Sequence, residues 1–314
     1  MPSRDLFDAI EFLEREADSI LANFKRANRG VAEAQLRFEV MAHRSGSAVN
    51  GDPRSSDTTE SAAFGVAVGF LDRGGAAGNG QTGAEIGRLA LKPSKLVTAV
   101  RGALAEACVR ARASAREQGA LRASLGDGAR GLVTGPLPPA PPIRERVDAR
   151  FQLDPRTVDL DLLKREARES SRAVAGVGKQ IVYNFVGALT ELRRELFCNT
   201  EGSVISQAFA FSQGDCYVVA ADGDGHQETY DTIGQQRGFE CIVDGFQSEL
   251  MPNPDLRTFS VELAREAREL AAAPALKPPD HEVVVVTDPQ FNALVAHEIV
   301  GHPSEADRAL KMEA

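Results

Sequence analysis

Apolar residues recur at three- and four-residue intervals near the start of the chain: Leu6, Ile10, Leu13, Ala17, Ile20, Leu21 and Phe24, with charged residues between them. That spacing forms one stripe of an amphipathic helix over about Asp5–Phe24. The period then shortens. "VAEAQLRFEVMAH" alternates apolar and polar residues as a strand does, and "AAFGVAVGFL" is a second strand-like run. The polar segment between them, "RSGSAVNGDPRSSDTTES", reads as a loop or a wide hairpin connection, and "DRGGAAGNGQTG" reads as a flexible turn. An Ala- and Arg-rich stretch, Ser94–Gln118, has helical composition. Residues 1–134 are therefore expected to form a small α+β unit.

The proline run "GPLPPAPPIRERVD", residues 135–148, lacks donors and has fixed φ, so it is expected as an extended strap or linker. Residues 149–250 begin with helical spacing through Leu160, Leu163, Ala167 and Val174. They continue as β-rich text: "RRELFCN", "SVISQAFAFSQGDCYVVAAD" and "HQETYDTIGQQRGFECIVD". Turn sequences at Thr200–Gly202 and Asp222–Gly225 separate these runs, which predicts an antiparallel meander with long strands. From residue 251 the pattern gives a helix ending near Ala272, the breaker "PALKPP", and a short, fully apolar strand, "EVVVVT".

Composition narrows the function classes. The net charge of -9 and the absence of a Lys/Arg run weigh against nucleic acid or an anionic membrane as partner. No segment has the roughly 18 consecutive apolar residues that span a bilayer. The start of the chain has no signal-peptide core. Four widely spaced cysteines, Cys108, Cys198, Cys216 and Cys241, form no CxxC pair and read as buried thiols in a reducing, cytoplasmic setting.

Chemistry concentrates near the end, in "AHEIVGHPSEADR", Ala296–Arg308. Asp288 is a good helix cap and Pro289 suits the first helical position, so a helix is expected to start there and carry Phe291, Leu294 and Val295 inward. His297 and His302 are five residues apart, which an undistorted helix turns about 140° from each other. Gly301 and Pro303 argue that the helix ends, or widens by one residue, between them. A widened turn of the π type brings positions i and i+5 nearly into register. Neutral imidazoles are good Zn²⁺ ligands, and an adjacent carboxylate can take the proton of a metal-bound water. His297 and His302 are accordingly read as metal ligands and Glu298 as general base. A second HE pair, His281–Glu282, has valines at the following positions and reads as chance.

"HEIVGHPSEADRAL", after an apolar strand and Asp-Pro, resembles the HExxxH segment of the TldD/PmbA family, in its TldD-like branch. The resemblance implies an α+β fold: a small N-terminal α/β unit, long antiparallel strands, and the start of a C-terminal metallopeptidase domain over residues 251–314. It implies Zn²⁺ held by His297 and His302, with Glu298 catalytic, and hydrolysis of extended or unfolded peptides. It also implies a homodimer, or a heterodimer with a PmbA/TldE-like subunit. The family's third ligand is a cysteine well beyond the motif, whereas this chain stops at Ala314; it therefore resembles a truncated member. A non-catalytic partner or scaffold subunit with an incomplete metal site is the competing expectation.

Overall fold

The computed structural model of the chain describes residues 3–87, 92–126, 141–248, 252–274, 276–305 and 308. Among the described residues the centre is a seven-stranded sheet in the order β3-β2-β1-β5-β6-β4, with β7 also paired to β6. The strands are β1 (Val31–Val49), β2 (Asp52–Leu71), β3 (Ala77–Glu85), β4 (Arg144–Val147), β5 (Ile181–Asn199), β6 (Val204–Asp222) and β7 (Gly225–Gln235). All neighbouring pairs are antiparallel except β4 and β6. The long meander predicted for β5–β6–β7 is present. β1 lies directly against β5, Gln35 opposite Asn199 through Val49 opposite Phe185. Residues before and after the proline-rich strap are thus joined through one sheet.

The helices that pack on the sheet do so on one side. On β5, Val186, Ala188, Leu192, Leu196 and Cys198 all face the helices, as strand alternation requires. α1 (Ser3–Ala27) and α2 (Pro93–Leu125) cover one end through Leu13, Leu21, Leu96 and Leu104; α3 (Leu160–Ala175) and α5 (Leu256–Ala272) cover the other through Leu163, Val174, Leu256 and Leu263. These helices match the periodic runs in the sequence, and the caps are those expected of aspartate: Asp159 accepts from the Asp161 N–H and Asp255 from the Thr258 N–H. The strap is used as well. β4 runs parallel to β6, with Arg144 paired to Asp18 and Arg146 to Glu11 and Glu14 on α1.

Three segments differ from the sequence expectation. The polar stretch before Ser61 is a hairpin connection, but a tight one rather than a loop or a wide one. β1 and β2 continue through it to a two-residue turn at Asn50–Gly51, where φ is 50° and 85°. Asn-Gly is the sequence that such a hairpin turn demands, and it was hidden inside a segment whose polarity suggested a loop. Asn50 also accepts the Asn184 N–H through its side chain at 2.8 Å. Asn50→Ala is therefore expected to lower stability by about 1–2 kcal/mol, read as a shift in the urea midpoint.

The second is "DRGGAAGNGQTG", of which only the first residues turn; Ala77–Glu85 is β3. Glycines hide a strand from a propensity reading, but here they let α2 lie against the strand. The third is "GFECIVD", where Glu240–Val243 forms a helical turn, α4, that buries Cys241 and Ile242.

Candidate metal centre

The run "EVVVVT" forms no strand among the described residues, and Val284 and Val286 are 93% and 91% exposed. An apolar strand needs a neighbour to hydrogen-bond and pack against, and no strand lies beside this run among the described residues. The helix after it starts as expected: α6 spans Pro289–Ala296, and Asp288 accepts the Phe291 N–H at 2.7 Å. Its apolar side is not turned inward, however. Phe291 and Leu294 are more than half exposed, because nothing described packs on them.

Past Ala296 the winding changes to a π turn, His297–Gly301, and then to a single 3₁₀ turn, His302–Ser304. The His302 N–H donates to the His297 carbonyl, five residues back. Proline supplies the reason: in a continuing α-helix the Pro303 ring would collide with the Ile299 carbonyl, and a wider turn moves that carbonyl aside. The expected role of Gly301 is not needed. Its φ and ψ are helical, and a Cβ there would meet nothing nearer than His297 Nδ1 at 3.9 Å. His302 also stays helical, at φ -60° and ψ -44°; the chain leaves the helix at Glu305 instead.

The π turn sets His297 and His302 side by side, ring centroids 4.7 Å apart and planes at 87°. Glu298 Oε2 lies 3.7 Å from His302 Nε2. One ligand-capable atom from each of His297, Glu298 and His302 falls within 4.8 Å of the others. Glu305 adds a further contact: its Oε1 is 2.8 Å from His302 Nδ1. The i, i+3 spacing was the available signal. A carboxylate on Nδ1 fixes the imidazole ring and leaves Nε2 as the ligand atom, a common support for a metal-bound histidine.

The donor set fits a divalent zinc-type ion: two imidazoles that can share one ion, a carboxylate beside them, and open solvent on the remaining sides. Beyond the two histidines and this carboxylate, no other residue supplies a further strong ligand among those described. All four cysteines are buried elsewhere. Burial pushes the thiols of Cys198 and Cys216 up to about 12 and that of Cys241 to about 11, so they remain protonated and inert. The His281–Glu282 pair gains no second histidine; His281 sits beside Asp280 at 3.0 Å. No helix among the described residues is long and apolar enough to cross a membrane.

No family model matches the chain. A curated relative from Methanothermobacter thermautotrophicus, named Metalloprotease, is 32% identical over 116 residues, which are 37% of this chain and 23% of that protein. Among solved structures, a candidate modulator of a DNA gyrase from Thermotoga maritima superposes with a TM-score of 0.52 at 14% identity, covering 81% of this chain and 47% of that one. TldE from Thermococcus kodakarensis gives 0.50 at 13% identity, covering 82% and 47%. The chain thus spans about half the length of these solved proteins and, over the matched stretch, under a quarter of the curated relative. One long-stranded sheet with its helices on a single side, matched over four-fifths of the chain, is the fold of TldE and of the candidate gyrase modulator, the fold that the resemblance to the TldD/PmbA family implied.

Proposed function

We propose that the chain is part of a zinc-dependent peptidase of TldD type, which hydrolyses peptide bonds in extended or unfolded peptides. The observation that carries this reading is the π turn, which makes a histidine pair with five-residue spacing able to share one cation. The curated relative's name, Metalloprotease, supports the same class. In this reading His297 and His302 hold Zn²⁺. The ion supplies a Lewis acid and an acidified water when bound. Glu298 stands beside them to accept a proton, and Glu305 fixes the His302 ring through Nδ1. The protein works as a homodimer, or with a PmbA/TldE-like partner, in the cytoplasm.

The test is Glu298→Gln in the zinc-loaded protein, with an unfolded polypeptide as substrate. Cleavage is expected to fall by about 100-fold or more, the usual weight of a general base, with bound zinc unchanged. Equal cleavage by wild type and variant would remove Glu298 from the reaction. Zinc retention with no cleavage by either protein would favour the scaffold reading, which the two-histidine site also permits.

A further inference from the structure

The side of the sheet without helices carries an aromatic row at one end. Phe185 on β5, Tyr217 on β6 and Tyr230 on β7 are directly opposite one another across three adjacent strands. Tyr183, also on β5, meets Tyr217 edge-on with centroids 6.0 Å apart. All three tyrosines of the chain are therefore in this one patch. Tyr183 and Tyr230 are 38% and 63% exposed. Carboxylates flank the row on both sides. The Tyr217 hydroxyl donates to Glu228 at 2.6 Å, and the Tyr230 hydroxyl donates to Asp215 at 3.4 Å.

The charge on the two strands that carry Tyr217 and Tyr230 has one sign. Residues 204–235, which make β6, its turn and β7, contain Asp215, Asp222, Asp224, Glu228 and Asp231 and no lysine or arginine. A solvent-facing aromatic row is costly in water unless something covers it, and an aromatic face ringed by carboxylates attracts cations twice over, through the ring quadrupole and through charge. Beside the row, Phe185, Gly187 and Asp215 line a hollow of about 380 Å³, whose far wall carries Arg54. A cation is thus favoured on the Tyr230–Asp215 side. β7 pairs only with β6 among the described residues, so its outer edge can accept an extended strand.

We propose that this aromatic–acidic end of the open sheet face binds lysine or arginine side chains of an extended peptide lying along β7. The site deepens the peptidase reading by naming a basic peptide as its substrate class, and rests on that reading for this consequence alone. Binding itself needs neither zinc nor Glu298.

The chain has no tryptophan, so its protein fluorescence comes from these three tyrosines. The experiment titrates the metal-free chain with hexalysine in chelator and follows tyrosine emission. A saturable change is expected, weaker at higher salt, with no response to hexaglutamate. Asp215→Asn/Glu228→Gln keeps every tyrosine and is expected to bind at least about fivefold more weakly. The charge-matched pair Glu16→Gln/Glu117→Gln, on α1 and α2 at the other side of the sheet, is expected to bind like wild type. Thr232→Lys sets a cation opposite Asp215 in the register and is expected to abolish the response. No saturable change, an equal response to hexaglutamate, or equal weakening in both double variants would overturn the site. Because chelator is present, the outcome is independent of whether His297 and His302 bind zinc.

Discussion

Gly80→Val is expected to unfold the chain or cost at least about 3 kcal/mol, the range of severe overpacking. A Cβ on Gly80 would lie 2.1 Å from the Ala107 carbonyl oxygen and 2.6 Å from the Ala111 N. Gly78 is equally tight, with the Ala115 N at 2.2 Å. The obstructing atoms are helix backbone, so no rotamer change relieves them. α2 presents Ala107, Ala111 and Ala115 to β3, and all three are fully buried. Small residues on both elements let the helix axis approach the strand closely, and neither side tolerates a methylene. Gly65→Ala is the contrast: nothing lies within 4 Å of its added Cβ, so stability should change by less than about 1 kcal/mol. Urea unfolding of the two variants separates these outcomes. A Gly80→Val protein as stable as wild type would mean that α2 does not rest on β3.

Zinc affinity is expected to fall at least about 100-fold in His297→Ala and equally in His302→Ala, because loss of a ligand exceeds the 10–100-fold typical of outer-shell changes. The double variant should be little worse than either single one, since the two imidazoles act on one ion. Glu305→Gln should weaken binding by roughly tenfold, by loosening the His302 ring rather than removing a ligand. Competition with a chromophoric chelator gives all four affinities. Independent, additive losses from the two histidines would mean separate weak sites instead of one.

The sequence made the helices and the meander legible because their apolar periods are long and uninterrupted, as in Leu6 to Phe24. It concealed β3 and the ends of β1 and β2, because glycine and serine carry no apolar period and their strand role comes from tertiary neighbours. The Asn50–Gly51 turn was available as a local signal but was outweighed by surrounding polarity. "GFECIVD" failed for a different reason: β-branched and aromatic residues there serve a buried helical turn. The apolar run at Val283–Val286 reads as a strand, and a strand is a property of a pair.

At the metal centre the spacing of His297 and His302, together with Pro303, foretold a widened turn. It did not say which residue absorbs the change: Gly301 and His302 both remain helical, and the π hydrogen bond between His302 and His297 takes up the extra residue. Nor did it single out Glu305, whose carboxylate reaches back to His302 from three residues on.

Zinc-edge X-ray absorption of the zinc-loaded chain tests the convergence of the two rings most directly. The expected spectrum contains two imidazole nitrogens at about 2.0–2.1 Å, falling to one in His297→Ala and in His302→Ala. A first shell without imidazole, or one that neither substitution alters, would contradict the shared site.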